Sequence, residues 1–332
     1  MFSADIQIFL AIMKAKLLSI LISVVISSYL TFCVESLGRQ AFDSNINACL
    51  FESWTNRTNP VLSKPVNCSS DARSGLCYGV NQKAFFAVCY NNKTLIPDFS
   101  GHIVQPICGK RARGRGKWRN EAGKHAPNRQ SHVSKDYRSQ ASKEAKRKNR
   151  FYSRGHLTPN ADFLTRDGRK LTMVNTNIAP QWQLFNGGNW ANLENAVRKY
   201  SDKERKQVFV FTGTGGTVNN SVQKPILLNN RVVVPKYFWK AICDPMNNRS
   251  VVFLAENPTG VEGSTKKDGC DVNGRNGRLQ TASYGVIYCY SLNALQQDKH
   301  FSKLFNLPSF ADSCGPGVRG RFLDDFLNST LV

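Results

Sequence analysis

WANLENAVRKYSDKER, Trp190 to Arg205, sets Trp190, Leu193 and Val197 three and four residues apart, the spacing of one face of a helix. The runs around it have another character. QVFVFTG (Gln207 to Gly213), RVVVPKYFWKAI (Arg231 to Ile242), SVVFLAE (Ser250 to Glu256) and YGVIYCY (Tyr284 to Tyr290) are short, apolar and rich in β-branched and aromatic residues, so they read as strands or strand–helix pieces. AFFAVCY, Ala84 to Tyr90, is a further strand upstream. One helix amid strands predicts an α+β fold. No internal repeat is visible, and GTGGT, Gly213 to Thr217, lacks the Gly-Lys-Ser/Thr that would make it a phosphate-binding loop.

A chain of 332 residues, 41% hydrophobic and 11% aromatic, can bury a full core. Its 45 Lys and Arg against 23 Asp and Glu leave a formal charge of +22, which favours a polyanionic partner: nucleic acid, acidic glycan or an anionic membrane surface. Lys14 and Lys16 precede an apolar run, Leu17 to Val34, interrupted by Ser19, Ser23, Ser27, Ser28 and Thr31. Residues 1–33 therefore read as a secretory signal peptide cleaved near Cys33, with Met13 as an alternative start. A membrane anchor needs about 20 predominantly apolar residues, so no stable membrane association is expected. The ten cysteines include no C-x-x-C pair, and disulfides in a secreted, extracellular protein are the better reading. Cleavage would leave nine, one of them unpaired or intermolecular. Six N-x-S/T sequons, at Asn56, Asn67, Asn92, Asn219, Asn248 and Asn328, predict a glycoprotein.

Residues 109–150 break the pattern, with 15 Lys and Arg against 3 Asp and Glu and almost no apolar residue beyond Trp118 and Tyr137. The expectation is a basic insertion loop without a core of its own. Lys143, Lys146, Arg147 and Lys148 are its densest cluster and candidates for phosphate contacts, since neutralising phosphates releases counterions and drives binding without reading sequence. Trp118 and Tyr137 are candidates to stack on bases.

Two stretches carry chemistry: SRGHLTPNADF, Ser153 to Phe163, and NTNIAPQWQLFNGGNWANLE, Asn175 to Glu194. Together they resemble the DNA/RNA non-specific endonucleases, the sugar-nonspecific ββα-metal nucleases of the Serratia nuclease and endonuclease G type, closest in character to secreted arthropod members. That family's signature is D-R-G-H, then N-I-x-P-Q, an Asn nine residues after the first, and a Glu eight further on. Asn177, Asn186 and Glu194 reproduce both spacings. The resemblance spans Cys77 to about Leu307, and implies an antiparallel sheet core with a long helix carrying the metal site. On that division, residues 34–108 are the Cys-bearing N-terminal part of the nuclease fold and residues 151–332 its catalytic part.

The resemblance makes His156 the general base, Arg154 a phosphate contact, Asn177 a group that orients the site, Asn186 the direct metal ligand, and Glu194 the holder of metal-bound water. The residue types suit those roles. A neutral imidazole, with an ordinary pKa of about 6.5, can take a proton from water at neutral pH. Arg stays charged and forks onto phosphate oxygens. Eight helical residues span about 12 Å, too far for Asn186 and Glu194 to share one cation directly. Magnesium, with manganese as the alternative, keeps several waters that fill such a gap. One departure stands out: Ser153 occupies the place of the family's Asp, so the carboxylate that could help fix the His loop is absent. The family's second phosphate-binding Arg lies upstream in a basic turn, where Arg115 and Arg119 flank Trp118. The expected protein is a secreted endonuclease acting on DNA and RNA; its rival is a catalytically weak or inactive secreted binder of nucleic acid or another polyanion.

Overall fold

The computed structural model describes Met13 and residues 16–23, 40–107, 112, 114, 116–137, 142–257 and 284–315. Arg115, Cys33, Cys108, Cys270 and the Asn328 sequon lie outside the described residues. No helix among the described residues is long and apolar enough to cross a membrane. The chain divides into two units, Met1–Gln40 and Ala41–Val332, and the site lies in the second.

Seven strands form one antiparallel sheet in the order β1 (Arg73–Val80), β2 (Lys83–Asn91), β3 (Ile96–Val104), β6 (Val208–Gly215), β9 (Tyr237–Asp244), β10 (Arg249–Glu256) and β11 (Ile287–Tyr290). Two ribbons stand apart: β4 (Tyr152–His156) with β5 (Ile178–Trp182), and β7 (Leu227–Leu228) with β8 (Val232–Val233). The sheet is covered on both faces, because its strands carry apolar residues in both phases of their two-residue period. In β6, Val208 and Val210 join one core while Phe209 and Phe211 join the other. In β9, Phe238 and Ile242 face the first; Trp239, Ala241 and Cys243 face the second. The expected run RVVVPKYFWKAI thus holds two strands, β8 and β9, parted by Pro235 and its neighbours.

The first core receives the β4–β5 ribbon and the long helix Asn189–Glu204, which buries Trp190, Leu193, Ala196, Val197 and Tyr200 on one face. The second receives Phe51 and Trp54 from a short helical segment near the N-terminal side, with Leu292 and Leu295 from a helix after β11. Cys49–Cys77, Cys68–Cys89 and Cys243–Cys314 are disulfides, and their sulfurs belong to this second core or pack against it. Cys289 is disulfide-bonded as well. Those three pairs brace the face opposite the long helix, while Cys289 packs against the first core.

The basic insertion departs from its expected lack of a core. It forms two short helices, Val133–Asp136 and Lys143–Arg147, and sends Val133 and Tyr137 into the first core. Two of its three acidic residues are buried and hydrogen-bonded. Glu121 accepts from the Ala41 amide at 3.0 Å and from the Tyr78 hydroxyl. Asp136 accepts from Ser131 Oγ at 3.0 Å, the His132 amide at 2.5 Å and Asn229 Nδ2 at 3.0 Å. Few apolar residues suffice here because buried carboxylates with several donors tie the segment to its neighbours.

Candidate active site

β4 and β5 pair antiparallel with Ser153 opposite Gln181, Arg154 opposite Pro180 and His156 opposite Ile178. The Arg-Gly-His stretch is a strand, not the loop expected of it. Its period of two puts Arg154 and His156 on one face of the ribbon. Gly155 is required between them, because a Cβ there would strike the side chain of Gln181. Trp118, from the insertion, covers both functional side chains: its ring lies 4.8 Å from the His156 imidazole and 5.4 Å from the Arg154 guanidinium. Trp118 thus meets protein side chains where a stacked base was expected, and Tyr137 is buried in the core.

Asn177 is fully buried behind this ribbon. Its Oδ1 accepts from the Thr158 amide at 3.0 Å, and its Nδ2 donates to the carbonyls of Thr158 at 3.0 Å and Thr172 at 3.1 Å. Its own carbonyl accepts from the Leu157 amide at 3.0 Å. Every polar atom of the side chain is engaged in clamping the segment that follows His156.

Asn186 and Glu194 do not share one helix. Asn186 ends the short helix Gln183–Asn186, Gly187 and Gly188 break the path, and Glu194 lies in the second turn of Asn189–Glu204. The straight-helix distance of about 12 Å therefore does not apply, and only Glu194 is carried by the long helix. Arg154, His156, Asn186 and Glu194 all line one cleft of about 600 Å³, together with Trp118 and Lys146 of the insertion. Arg169, which the motif spacing did not single out, lines it too.

Beneath Glu194, the sheet presents a buried lysine. Lys240 donates to Thr212 Oγ1 at 2.5 Å and lies 5.3 Å from the Trp190 ring. Burial pushes the Glu194 carboxyl up to about 7, against the opposing pull of the Lys240 ammonium and, more weakly, of Arg198. Nearby, Asp162 accepts from His102 Nε2 at 2.8 Å and from Arg198 Nη1 at 2.7 Å. Burial would raise the Asp162 carboxyl, but His102 and Arg198 hold it down at about 2. Burial lowers His102 despite that carboxylate. Nothing in the chain pattern around His102 or Lys240 distinguishes them from other strand residues; they meet only when β3, β9 and the long helix pack.

The remaining candidates divide. Arg119 forms a parallel bridge to Val174, and its guanidinium donates to the carbonyls of Lys170 (2.9 Å), Leu171 (3.2 Å) and Met173 (3.3 Å) at the end of helix Arg166–Leu171. This is a helix-terminating clamp, and Arg119 is not part of the cleft lining that holds Arg154 and His156. Lys143, Lys146, Arg147 and Lys148 sit exposed on and just after their short helix, whose Ser142 cap accepts from the Ala145 amide at 3.1 Å. Lys146 reaches the cleft, while Lys148 pairs with Glu144 at 2.7 Å.

Among the described residues no three His, Cys, Asp or Glu side chains cluster as a metal cage. The donor set is instead one amide, Asn186, and one carboxylate, Glu194, on a polar cleft wide enough for water. A hard divalent cation that keeps most of its hydration fits such a set; a fully dehydrated one does not.

A family model for DNA/RNA non-specific endonucleases matches residues 72–292. A salivary endonuclease of Lutzomyia longipalpis is 33% identical over 193 residues, covering 53% of this chain and 46% of that protein. A nuclease of Nostoc sp. is 34% identical over 115 residues, covering 34% and 36% of the two. The chain spans less than half the length of the curated relatives it matches. Among solved structures, an EndoG/EndoGI complex aligns with a TM-score of 0.44 and 17% identity, over 74% of this chain and 92% of that one.

Proposed function

The chain belongs to the DNA/RNA non-specific endonucleases, and on that footing we propose that it is a secreted, divalent-metal-dependent endonuclease hydrolysing phosphodiester bonds of DNA and RNA with little sequence preference. The observation that carries this reading is the meeting of Arg154, His156, Asn186 and Glu194 in one cleft, from a strand and two helices. His156 takes the proton of the attacking water, and Trp118, tilted against its ring at 4.8 Å, limits where the imidazole can turn. Arg154, on the same strand face, holds a phosphate oxygen and stabilises the charge that grows on it. Asn186 Oδ1 and the Glu194 carboxylate, the latter through hydration water, would hold magnesium or manganese, which offsets charge on the leaving oxygen. Asn177 keeps the chain after His156 in register. Lys146 and its neighbours on the insertion capture the polyanion at the mouth of the cleft. Secretion is supported by the disulfides on the described residues and by the salivary naming of relatives.

The test is cleavage of plasmid DNA and a short RNA by the purified full chain, with magnesium, with chelator, and with magnesium restored. Chelation should abolish fragmentation and the metal should return it. His156→Ala should lower turnover by about 10² to 10⁴, the usual scale for losing acid–base catalysis, while nucleic acid is still bound. A wild-type protein that retards nucleic acid on a gel without cutting it under any metal condition would replace this reading by that of a binder.

A further inference from the structure

The one departure from the family signature, Ser153, makes two hydrogen bonds. Its hydroxyl donates to the Gln181 carbonyl across the ribbon at 3.0 Å, and its oxygen receives Nδ2 of Asn186 at 2.9 Å. The two bonds together remove an ambiguity that an Asn side chain otherwise has. A carbonyl oxygen only accepts, so the serine proton must point at Gln181. What Ser153 then offers Asn186 is a lone pair, and the only group of an Asn side chain that can meet a lone pair is its NH₂. Flipping the amide would set Oδ1 against the serine oxygen, two acceptors face to face. Nδ2 is therefore held to the strand, and Oδ1, on the other side of the amide carbon, is turned away from Ser153 on a residue that lines the cleft.

We propose that Ser153 is a positioning residue, a switchless hydroxyl relay that fixes the Asn186 amide with its oxygen presented to the cation. This rests on the reading of Asn186 as the metal ligand. It also gives the Asp-to-Ser change a physical meaning. A carboxylate could accept from Nδ2 but could not donate to Gln181, whereas serine satisfies both neighbours without adding a negative charge beside the metal ligand. The site is orientated by a neutral group.

The test is direct Mn²⁺ binding to the full chain without substrate, followed by loss of the free-ion electron paramagnetic resonance signal, alongside the magnesium concentration for half-maximal cleavage. Ser153→Ala should weaken Mn²⁺ binding by about tenfold, the low end for groups that orient a metal ligand, and raise the half-maximal magnesium concentration in parallel. Ser153→Thr, which keeps the hydroxyl, should bind within about twofold of wild type. Thermal melting checks folding; should Ala destabilise the ribbon, Ser153→Thr against Ser153→Val makes the same comparison between an oxygen and a methyl. Wild-type Mn²⁺ affinity in Ser153→Ala, with binding lost in Asn186→Ala, would overturn the relay while leaving Asn186 as ligand. Wild-type affinity in Asn186→Ala would overturn the ligand assignment and the relay with it.

Discussion

Asn177→Ala separates a residue that does chemistry from one that holds the chemistry in place. The substitution removes three hydrogen bonds of 3.0, 3.0 and 3.1 Å from a side chain with no solvent exposure. It orphans the Thr158 amide and takes one donor each from the Thr158 and Thr172 carbonyls. A buried unsatisfied group costs about 1–3 kcal/mol, with carbonyls at the lower end, so the loss should be about 4 kcal/mol. For the unit Ala41–Val332, with an unfolding entropy of about 2.1 cal/mol/K per residue, that is a fall in Tm of about 6–7 °C. Asn177→Asp should cost at least as much at neutral pH, because it keeps the acceptor but turns the donor into an oxygen facing two carbonyls. The assay is urea and thermal unfolding, then single-turnover cleavage well below the new Tm. Turnover should also fall, since Thr158, two residues after His156, loses the side-chain partners of both its amide and its carbonyl. A variant that melts within about 2 °C of wild type yet is catalytically dead would refute the clamp and assign Asn177 a direct contact with substrate instead.

Acid sensitivity should trace to His102. Its folded pKa is lowered by burial, below the unfolded value of about 6.5, so the unfolded chain protonates first and the share of stability due to His102, full above about pH 6.5, declines as pH falls below it, while the raised Glu194 carboxyl acts in the opposite sense. His102→Gln keeps an N–H for Asp162 but cannot titrate, and should flatten the slope of Tm between about pH 6.5 and 5; an unchanged slope would exclude His102 as the source. Asp162, held at about 2, should begin to contribute only below its unfolded value of about 3.9. Replacing Lys143, Lys146, Arg147 and Lys148 together by Ser should lessen the salt dependence of DNA binding, the logarithmic slope falling by about 0.9 per lost phosphate contact. Because Lys148 already pairs with Glu144, a change of about 2.7 is expected, and an unchanged slope would show that the cluster does not meet phosphates.

Periodicity made the central architecture legible from the chain alone. Val208, Val210, Phe209 and Phe211 are apolar in both phases, which suits a strand covered on two sides, and Trp190, Leu193 and Val197 repeat at the helical interval. Arg154, His156, Asn177, Asn186 and Glu194 were reached by another route, the match of their spacing to a family signature, since each residue taken singly has an ordinary structural reading. β1, RSGLCYGV, was not legible: it carries charge and glycine where a strand usually shows apolar residues, and it is a strand because β2 pairs with it. Its Gly75 makes sense only beside the Ser44 carbonyl that a Cβ would strike. The insertion looked like solvated charge because burial of an acid cannot be read from composition; Glu121 and Asp136 become interior only when Tyr78 and Asn229, distant in the chain, supply their donors. Arg119 and Ser153 show the same limit. A guanidinium or a hydroxyl has the same bonding capacity wherever it stands, and whether it meets a phosphate, a helix end or the amide of Asn186 depends on which acceptors and donors the tertiary structure brings within about 3 Å of it.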